Sequence, residues 1–203
     1  MIKPVSCVLL AGGQSKRMGK DKAFLTLNGK TFLQIITEKL SKKCNEIILS
    51  VNKDEEIYRE HLKEFNFKIV KDLNPYEGPL NGISSVYSYI SNDFVFIATC
   101  DTPLINENLV NFYLEKIGNY DAIVPVIDGK IQPLNTLYTK NAVLKAKDLY
   151  GKVKSLKGWI ENLSVLFLNQ NELEKIDKGL WSYKSINTPD QYEELLRKFH
   201  QKI

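Results

Sequence analysis

Leu10-Ala11-Gly12-Gly13-Gln14-Ser15-Lys16-Arg17-Met18-Gly19-Lys20-Asp21-Lys22 is the stretch on which the reading of this chain turns. It follows an apolar run at residues 8–10, too short and too near the N-terminus to be much besides a first buried strand. Glycine opens backbone conformations closed to other residues and lacks the Cβ that would hold a ligand away. A strand that ends in such a loop can aim several N–H groups at one anion, while Lys16, Arg17, Lys20 and Lys22 supply positive charge. The stretch therefore reads as a cradle for a nucleoside triphosphate.

Spacing excludes the commoner cradles. A P-loop needs a glycine, four residues, then Gly-Lys-Ser/Thr; here Gly19 lies one residue too far from Gly13, and Lys20 precedes Asp21. The first, third and sixth glycines of the dinucleotide fingerprint are absent. Ser15 is no hydrolase nucleophile, because Arg17 stands where the nucleophile elbow requires glycine. The plain alternative is a solvated strand-to-helix connection. The crowding of glycines and cations in one loop argues against it.

Outside the loop, a length of 203 residues suits one domain with a full sheet between helices. A net charge of +4 fits a polyanionic small molecule and falls short of a nucleic-acid footprint. Cys7, Cys44 and Cys100 are odd in number, form no Cys-x-x-Cys pair and lie far from each other in sequence, and His61 and His200 are remote from Cys7 and Cys100. Neither a zinc site nor a disulfide framework is expected. The N-terminal apolar run is interrupted by Ser6 and too short for a signal peptide, and nothing reaches a membrane-spanning length. The expected setting is the cytoplasm, without membrane or nucleic-acid partners.

Strand and helix patterns alternate along the chain. A short strand at 24–27 meets the turn signal Asn28-Gly29, and Thr31 is placed to cap a helix reaching about residue 43. Strands are predicted over 46–51, 67–70, 94–98, 120–127, 130–134 and 164–168. Helices are predicted over 54–65, 83–90, 106–117, 141–150 and 191–199. This alternation predicts an α/β fold, a doubly wound and mostly parallel sheet with helices on both faces. Asn52, Asp72 and Asp101 then follow the second, third and fourth main strands, where an open α/β sheet places its ligand groups. An aspartate leaving a buried strand, as Asp101 does, is costly unless paired or metal-bound, and its hard oxygens suit magnesium. Asn52 and Asp72 also fit ordinary turn roles. A second glycine at Gly82, beyond the one that a turn needs, implies a close approach to the backbone there.

The motif Leu-Ala-Gly-Gly-x-Ser-x-Arg-Met-Gly-x-Asp-Lys resembles the signature loop of the molybdenum cofactor guanylyltransferases, relatives of other nucleotidyltransferases on one α/β fold. The likeness continues through Leu25-x-x-x-Gly29-Lys30-x-x-Leu33, Gly78-Pro79-Leu80-x-Gly82-Ile83, Cys100-Asp101-x-Pro103, Gln132-Pro133-Leu134 and Ser185-Ile186-Asn187-Thr188-Pro189-Asp190. It implies that Leu10, Ala11, Gly12, Gly13, Lys22, Asn52, Asp72, Gly82 and Asp101 bind nucleotide, with Ser50 the alternative to Asn52. It implies Asp101 as a magnesium ligand and Asn187 as a second, although Ser185 replaces the family's asparagine. Arg17 would hold the β- and γ-phosphates and Lys22 the α-phosphate, while Lys152, Lys154 and Lys157 would face the acceptor. The implied reaction transfers GMP from GTP to the terminal phosphate of molybdopterin and releases pyrophosphate. Contacts with other cofactor-biosynthesis proteins and with target molybdoenzymes go with it. A cytidylyltransferase, a sugar-phosphate nucleotidyltransferase and a silent nucleotide-binding regulator stay open as alternatives.

Overall fold

The computed structural model describes residues 2–13, 15–52, 54–75 and 77–200, so Gln14 of the glycine loop lies outside the described residues. Its central sheet is built on β1 (Val5–Leu10), β4 (Glu46–Val51), β5 (Lys68–Lys71) and β6 (Phe94–Thr99). β1 pairs in parallel with both β4 and β6, and β4 carries β5 beyond it. The two-residue strands β2 (Thr26–Leu27) and β3 (Lys30–Thr31) form a separate hairpin. Asn28 and Gly29 make its turn, both at positive φ, as the Asn-Gly pair requires.

The other half of the sheet departs from a purely parallel pattern. β7 (Ala122–Ile127) hairpins into the short β8 (Lys130–Ile131), and β10 (Val165–Asn169) runs parallel to β7 at the edge. Between β6 and β7 lies β9 (Thr136–Thr139), antiparallel to both. The order is β10-β7-β9-β6-β1-β4-β5, with β8 attached to β7, a mostly parallel sheet in which β9 and the short β8 run against the rest. The expected strand at 130–134 stops at Ile131, and the pairing passes to β9, a strand outside the expected ones.

Alternation along the buried strands divides the core in two. Cys7 and Leu9, Ile47 and Leu49, and Phe96 and Ala98 face one side, while Val8, Ile48, Val95 and Ile97 face the other. The first side is covered by α1 (Phe32–Ser41), α2 (Glu55–His61), α4 (Asn108–Lys116), α7 (Gln170–Glu174) and α8 (Pro189–His200). The second is covered by α3 (Pro79–Val86), α5 (Lys140–Leu149) and α6 (Leu156–Ile160). Each fully buried Leu or Ile contributes about 1.5–3 kcal/mol here. Local signals fix the helix starts. Thr31 and Gln34 form a reciprocal capping box at α1, and Thr139 caps α5. α3 begins earlier than its apolar spacing implied: Gly78, at φ 95°, hands over to Pro79 at the first helical position. α6 and α7 have five residues each, too few to show a period.

At the N-terminal end of the sheet Glu46 gathers four donors. Ser6 Oγ and the Ser91 N–H donate to Oε1 at 2.7 and 2.9 Å, and Lys68 Nζ and Ser91 Oγ to Oε2 at 2.7 and 2.8 Å. Burial pushes the Glu46 carboxyl up, but the Lys68 and serine hydrogen bonds outweigh it and hold the group down at about 2. All three cysteines are free. A hydrogen bond with Cys44, then burial, push the Cys7 thiol up, so it packs as an inert apolar group.

Candidate functional site

The carboxyl ends of β1, β4, β5 and β6 open on one cleft of about 250 Å³, lined by Leu10, Gly12, Gly13, Ser50, Asn52, Asp72, Gly78, Pro79, Gly82, Thr99 and Leu134. Six residues expected to bind nucleotide are in that lining: Leu10, Gly12, Gly13, Asn52, Asp72 and Gly82. β1 leads on to β4 on one side and its neighbour β6 leads on to β7 on the other, so the connections part between β1 and β6. That is the switch point at which open α/β sheets form crevices.

The glycine loop is anchored at its root by three separate elements. The Ala11 N–H donates to Ser50 O at 2.8 Å, the buried Tyr58 donates its hydroxyl to Ala11 O at 3.1 Å, and Asn52 Nδ2 donates to Gly12 O. A Cβ on Gly12 would lie 2.4 Å from Asn52 Nδ2 and 3.1 Å from Asp72 Oδ2, so only glycine lets the loop pass this close. Further on, the Lys22 N–H donates to Ser15 Oγ at 3.2 Å and the Met18 N–H to Ser15 O at 3.1 Å, which folds the loop back on itself. Asp21 accepts from the Ala23 N–H and caps a short 3-10 turn that sends Lys22 inward. Arg17 is exposed and takes no part in this scaffold among the described residues.

The structure separates the work of the two polar residues after β4. Asn52 holds the loop through Gly12, whereas Ser50 donates its hydroxyl to Asp72 Oδ1. Both face the cleft, so neither excludes the other. Burial pushes the Asp72 carboxyl up, and the Ser50 hydroxyl pulls it part of the way back. A Cβ on Gly82 would lie 2.7 Å from Ser50 Oγ and 3.2 Å from Leu10 Cδ2.

Beside the cleft stands a second cluster, drawn from three distant segments. Lys22 Nζ lies 3.5 Å from Asp101 Oδ2 and donates to Asn187 Oδ1. Thr99, part of the cleft lining, donates its hydroxyl to Asp101 Oδ1 at 3.2 Å and so joins cluster to cleft. The Ile186 N–H donates to Asp101 O at 2.8 Å, and Asn187 Nδ2 donates to Ser185 Oγ at 2.6 Å. Ser185 thus performs an orienting role despite replacing asparagine: it turns the Asn187 carbonyl oxygen towards Lys22. Thr188 and Gln191 form a capping box at α8, and Gln191 Oε1 also accepts from the Asn187 N–H at 2.7 Å.

One carboxylate and one amide oxygen therefore converge on a single cationic point. No group of three or more His, Cys, Asp or Glu side chains suited to a metal occurs among the described residues. The donor set fits magnesium, which takes one or two protein oxygens and keeps phosphate and water for the rest. Lys152, Lys154 and Lys157 are exposed and contribute nothing to the cleft lining. Leu134 does line it, from the expected acceptor-side segment. Tyr58, Thr99 and Asn135 were missed from sequence. Tyr58 reads as a helix core residue, and Asn135 as a loop residue.

Residues 7–166 match the model of the MobA-like NTP transferase domain. A protein of Clostridium perfringens (strain 13 / Type A) named "Probable molybdenum cofactor guanylyltransferase" is 35% identical over 202 residues, 98% of each chain. One of the same name from Natranaerobius thermophilus is 34% identical over 200 residues, 96% of each. The crystal structure of molybdopterin-guanine dinucleotide biosynthesis protein A from Archaeoglobus fulgidus superposes with a TM-score of 0.80 at 22% identity, covering 98% of this chain and 100% of that one. The fold and the sequence likeness agree, and the chain belongs to the MobA-like NTP transferase family.

Proposed function

We propose that this chain is a molybdenum cofactor guanylyltransferase, which transfers GMP from GTP to the terminal phosphate of molybdenum-bearing molybdopterin. An acceptor phosphate oxygen bonds to the α-phosphorus as the bond to the β-phosphate oxygen breaks, and pyrophosphate leaves with the bonding electrons. The observation that carries this reading is the convergence of Lys22, Asp101 and Asn187 beside a glycine-lined cleft, joined to it through Thr99.

Phosphoryl-type transfer asks little covalent chemistry of a protein; it asks for alignment and for charge neutralisation. The cleft between Gly12 and Gly82 takes the nucleoside, with Asp72 offering its oxygens to donors on base or sugar. The loop amides and the exposed Arg17 meet the β- and γ-phosphates. Lys22 sits where charge builds on the α-phosphate, and a preorganised cation there lowers the barrier. Asp101 and Asn187 would hold magnesium, which when bound neutralises phosphate oxygens. Leu134 and the segment before it border the side from which the acceptor comes. The whole chain acts as one nucleotidyltransferase domain. No helix among the described residues is long and apolar enough to cross a membrane.

The test supplies purified protein with magnesium, molybdenum-loaded molybdopterin and either GTP or CTP, and measures pyrophosphate release. Release with GTP alone is expected. Release with CTP alone would overturn the base assignment, and silence with both would overturn the reaction.

A further inference from the structure

Asp101 lies beyond the end of β6 and Asn187 just before α8, and no strand pairing among the described residues fixes their separation. One backbone hydrogen bond, from the Ile186 N–H to Asp101 O, ties the two segments directly. Lys22 bridges the two side chains, and further on Asn106 ties the segments through its N–H to Ser182 Oγ at 2.8 Å and its Nδ2 to Ile176 O at 2.9 Å. A further set of ties, nearer the aspartate, passes through Asn135, which is 2% exposed. Asn135 Nδ2 donates to Thr102 Oγ1 at 2.9 Å and to Ser182 O at 2.7 Å, while Oδ1 accepts from the Thr99 N–H at 3.3 Å. Its own N–H donates to Ile97 O at 2.7 Å, and its carbonyl oxygen accepts from the Tyr183 hydroxyl at 2.9 Å. One side chain thus grips the Asp101 loop on both sides of the aspartate. It also grips the chain that leads to Asn187.

The residue type is constrained. Asn135 sits at φ 58°, in the left-handed region that asparagine tolerates better than most side chains. Glycine would supply that backbone without the amide, and aspartate would present no donor to Thr102 or to Ser182 O. A residue that merely turned the chain into β9 would need the backbone alone. Here both amide hydrogens and the carbonyl oxygen are also used.

We propose that Asn135 is a positioning residue, whose amide sets the separation of Asp101 and Asn187 and so shapes the divalent-cation site. This rests on the reading that those two oxygens hold the metal. Asn135→Gly keeps the left-handed turn and removes the amide, so it separates a positioning role from a turn role. Residues that support metal ligands typically cost about 10–100-fold in affinity or activity when lost.

The direct readout is manganese affinity, followed by electron paramagnetic resonance on the GTP complex of the full chain without acceptor. Turnover across a magnesium titration is measured in parallel. Asn135→Gly should bind manganese about tenfold more weakly and lose about tenfold or more in kcat, with KM for GTP within about threefold of the parent. Should that variant fail to fold, Thr102→Val removes one anchor, and a fall of about threefold in manganese affinity is expected. Manganese affinity and kcat both within twofold of the parent in a folded Asn135→Gly (or, failing that, in Thr102→Val), with Asp101→Asn losing both, would overturn the role of Asn135. Parent-like manganese affinity in Asp101→Asn would overturn the metal reading itself, and this inference with it.

Discussion

Replacing Gly82 by alanine sets two effects of known size against each other. Gly82 lies inside α3, where alanine is favoured over glycine by about 1 kcal/mol. The new methyl would sit 2.7 Å from Ser50 Oγ and 3.2 Å from Leu10 Cδ2, and overpacking of this kind costs about 1–3 kcal/mol. The net loss of stability is about 0–2 kcal/mol, and for a chain of this size each kcal/mol moves Tm by about 2–4 °C. The protein should therefore stay folded. Binding should suffer too, because Leu10, Ser50 and Gly82 all line the cleft and the added methyl takes up its space. Overpacking of about 1–3 kcal/mol against a bound nucleoside corresponds to a loss of about 5- to 150-fold in GTP affinity. Thermal melting together with calorimetric GTP titration reads both effects. A folded Gly82→Ala protein with GTP affinity within threefold of the parent would refute the placement of the nucleoside between Gly12 and Gly82.

Lys22→Ala should reduce kcat/KM by about 10²–10³-fold, the usual cost of one preorganised charge-stabilising donor, and steady-state kinetics checks it. Lys22→Arg should not restore the rate, since a planar guanidinium does not replace a compact ammonium at the α-phosphate. Glu46 titrates near 2 in the folded chain against an ordinary value of 4.5, so the native state takes up its proton less readily than the unfolded chain. Its contribution to stability is complete above about pH 4.5 and is lost as pH falls towards 2. Glu46→Gln should lower the urea midpoint at pH 6, and its deficit against the parent should shrink by pH 3. A deficit constant with pH would contradict the assigned hydrogen bonds.

Much of the fold was legible because its signals are local. The near-continuous apolar runs of β1, β4 and β6 can only be strands buried on both faces, and residues that leave such strands fall at one edge. That rule alone brings Gly12, Asn52, Asp72 and Asp101 to the same end of the sheet. β9 was not legible. Thr136–Thr139 is short, and its reversal depends on the left-handed turn at Asn135 and on pairing with β6, which no local pattern encodes. The start of α3 was hidden for the opposite reason: Gly78-Pro79 reads as a turn, although proline also suits a first helical turn. Within the site, Ser50 and Asn52 could not be ranked from sequence, because their division of labour depends on partners from β5 and from the glycine loop. The Lys22–Asp101–Asn187 cluster unites three segments that only the folded chain brings together.

Asp101→Asn is the most direct probe of that cluster, since it keeps the side chain's shape and removes the charge facing Lys22. GTP labelled at the α-phosphate, mixed with magnesium, acceptor and either protein, reports label transfer in a single turnover. The parent should pass the label to the acceptor, and the folded variant should do so about 10²–10³-fold more slowly while still binding GTP without magnesium. Transfer within threefold of the parent, with the same dependence on magnesium, would remove Asp101 from the reaction and contradict the site proposed for it.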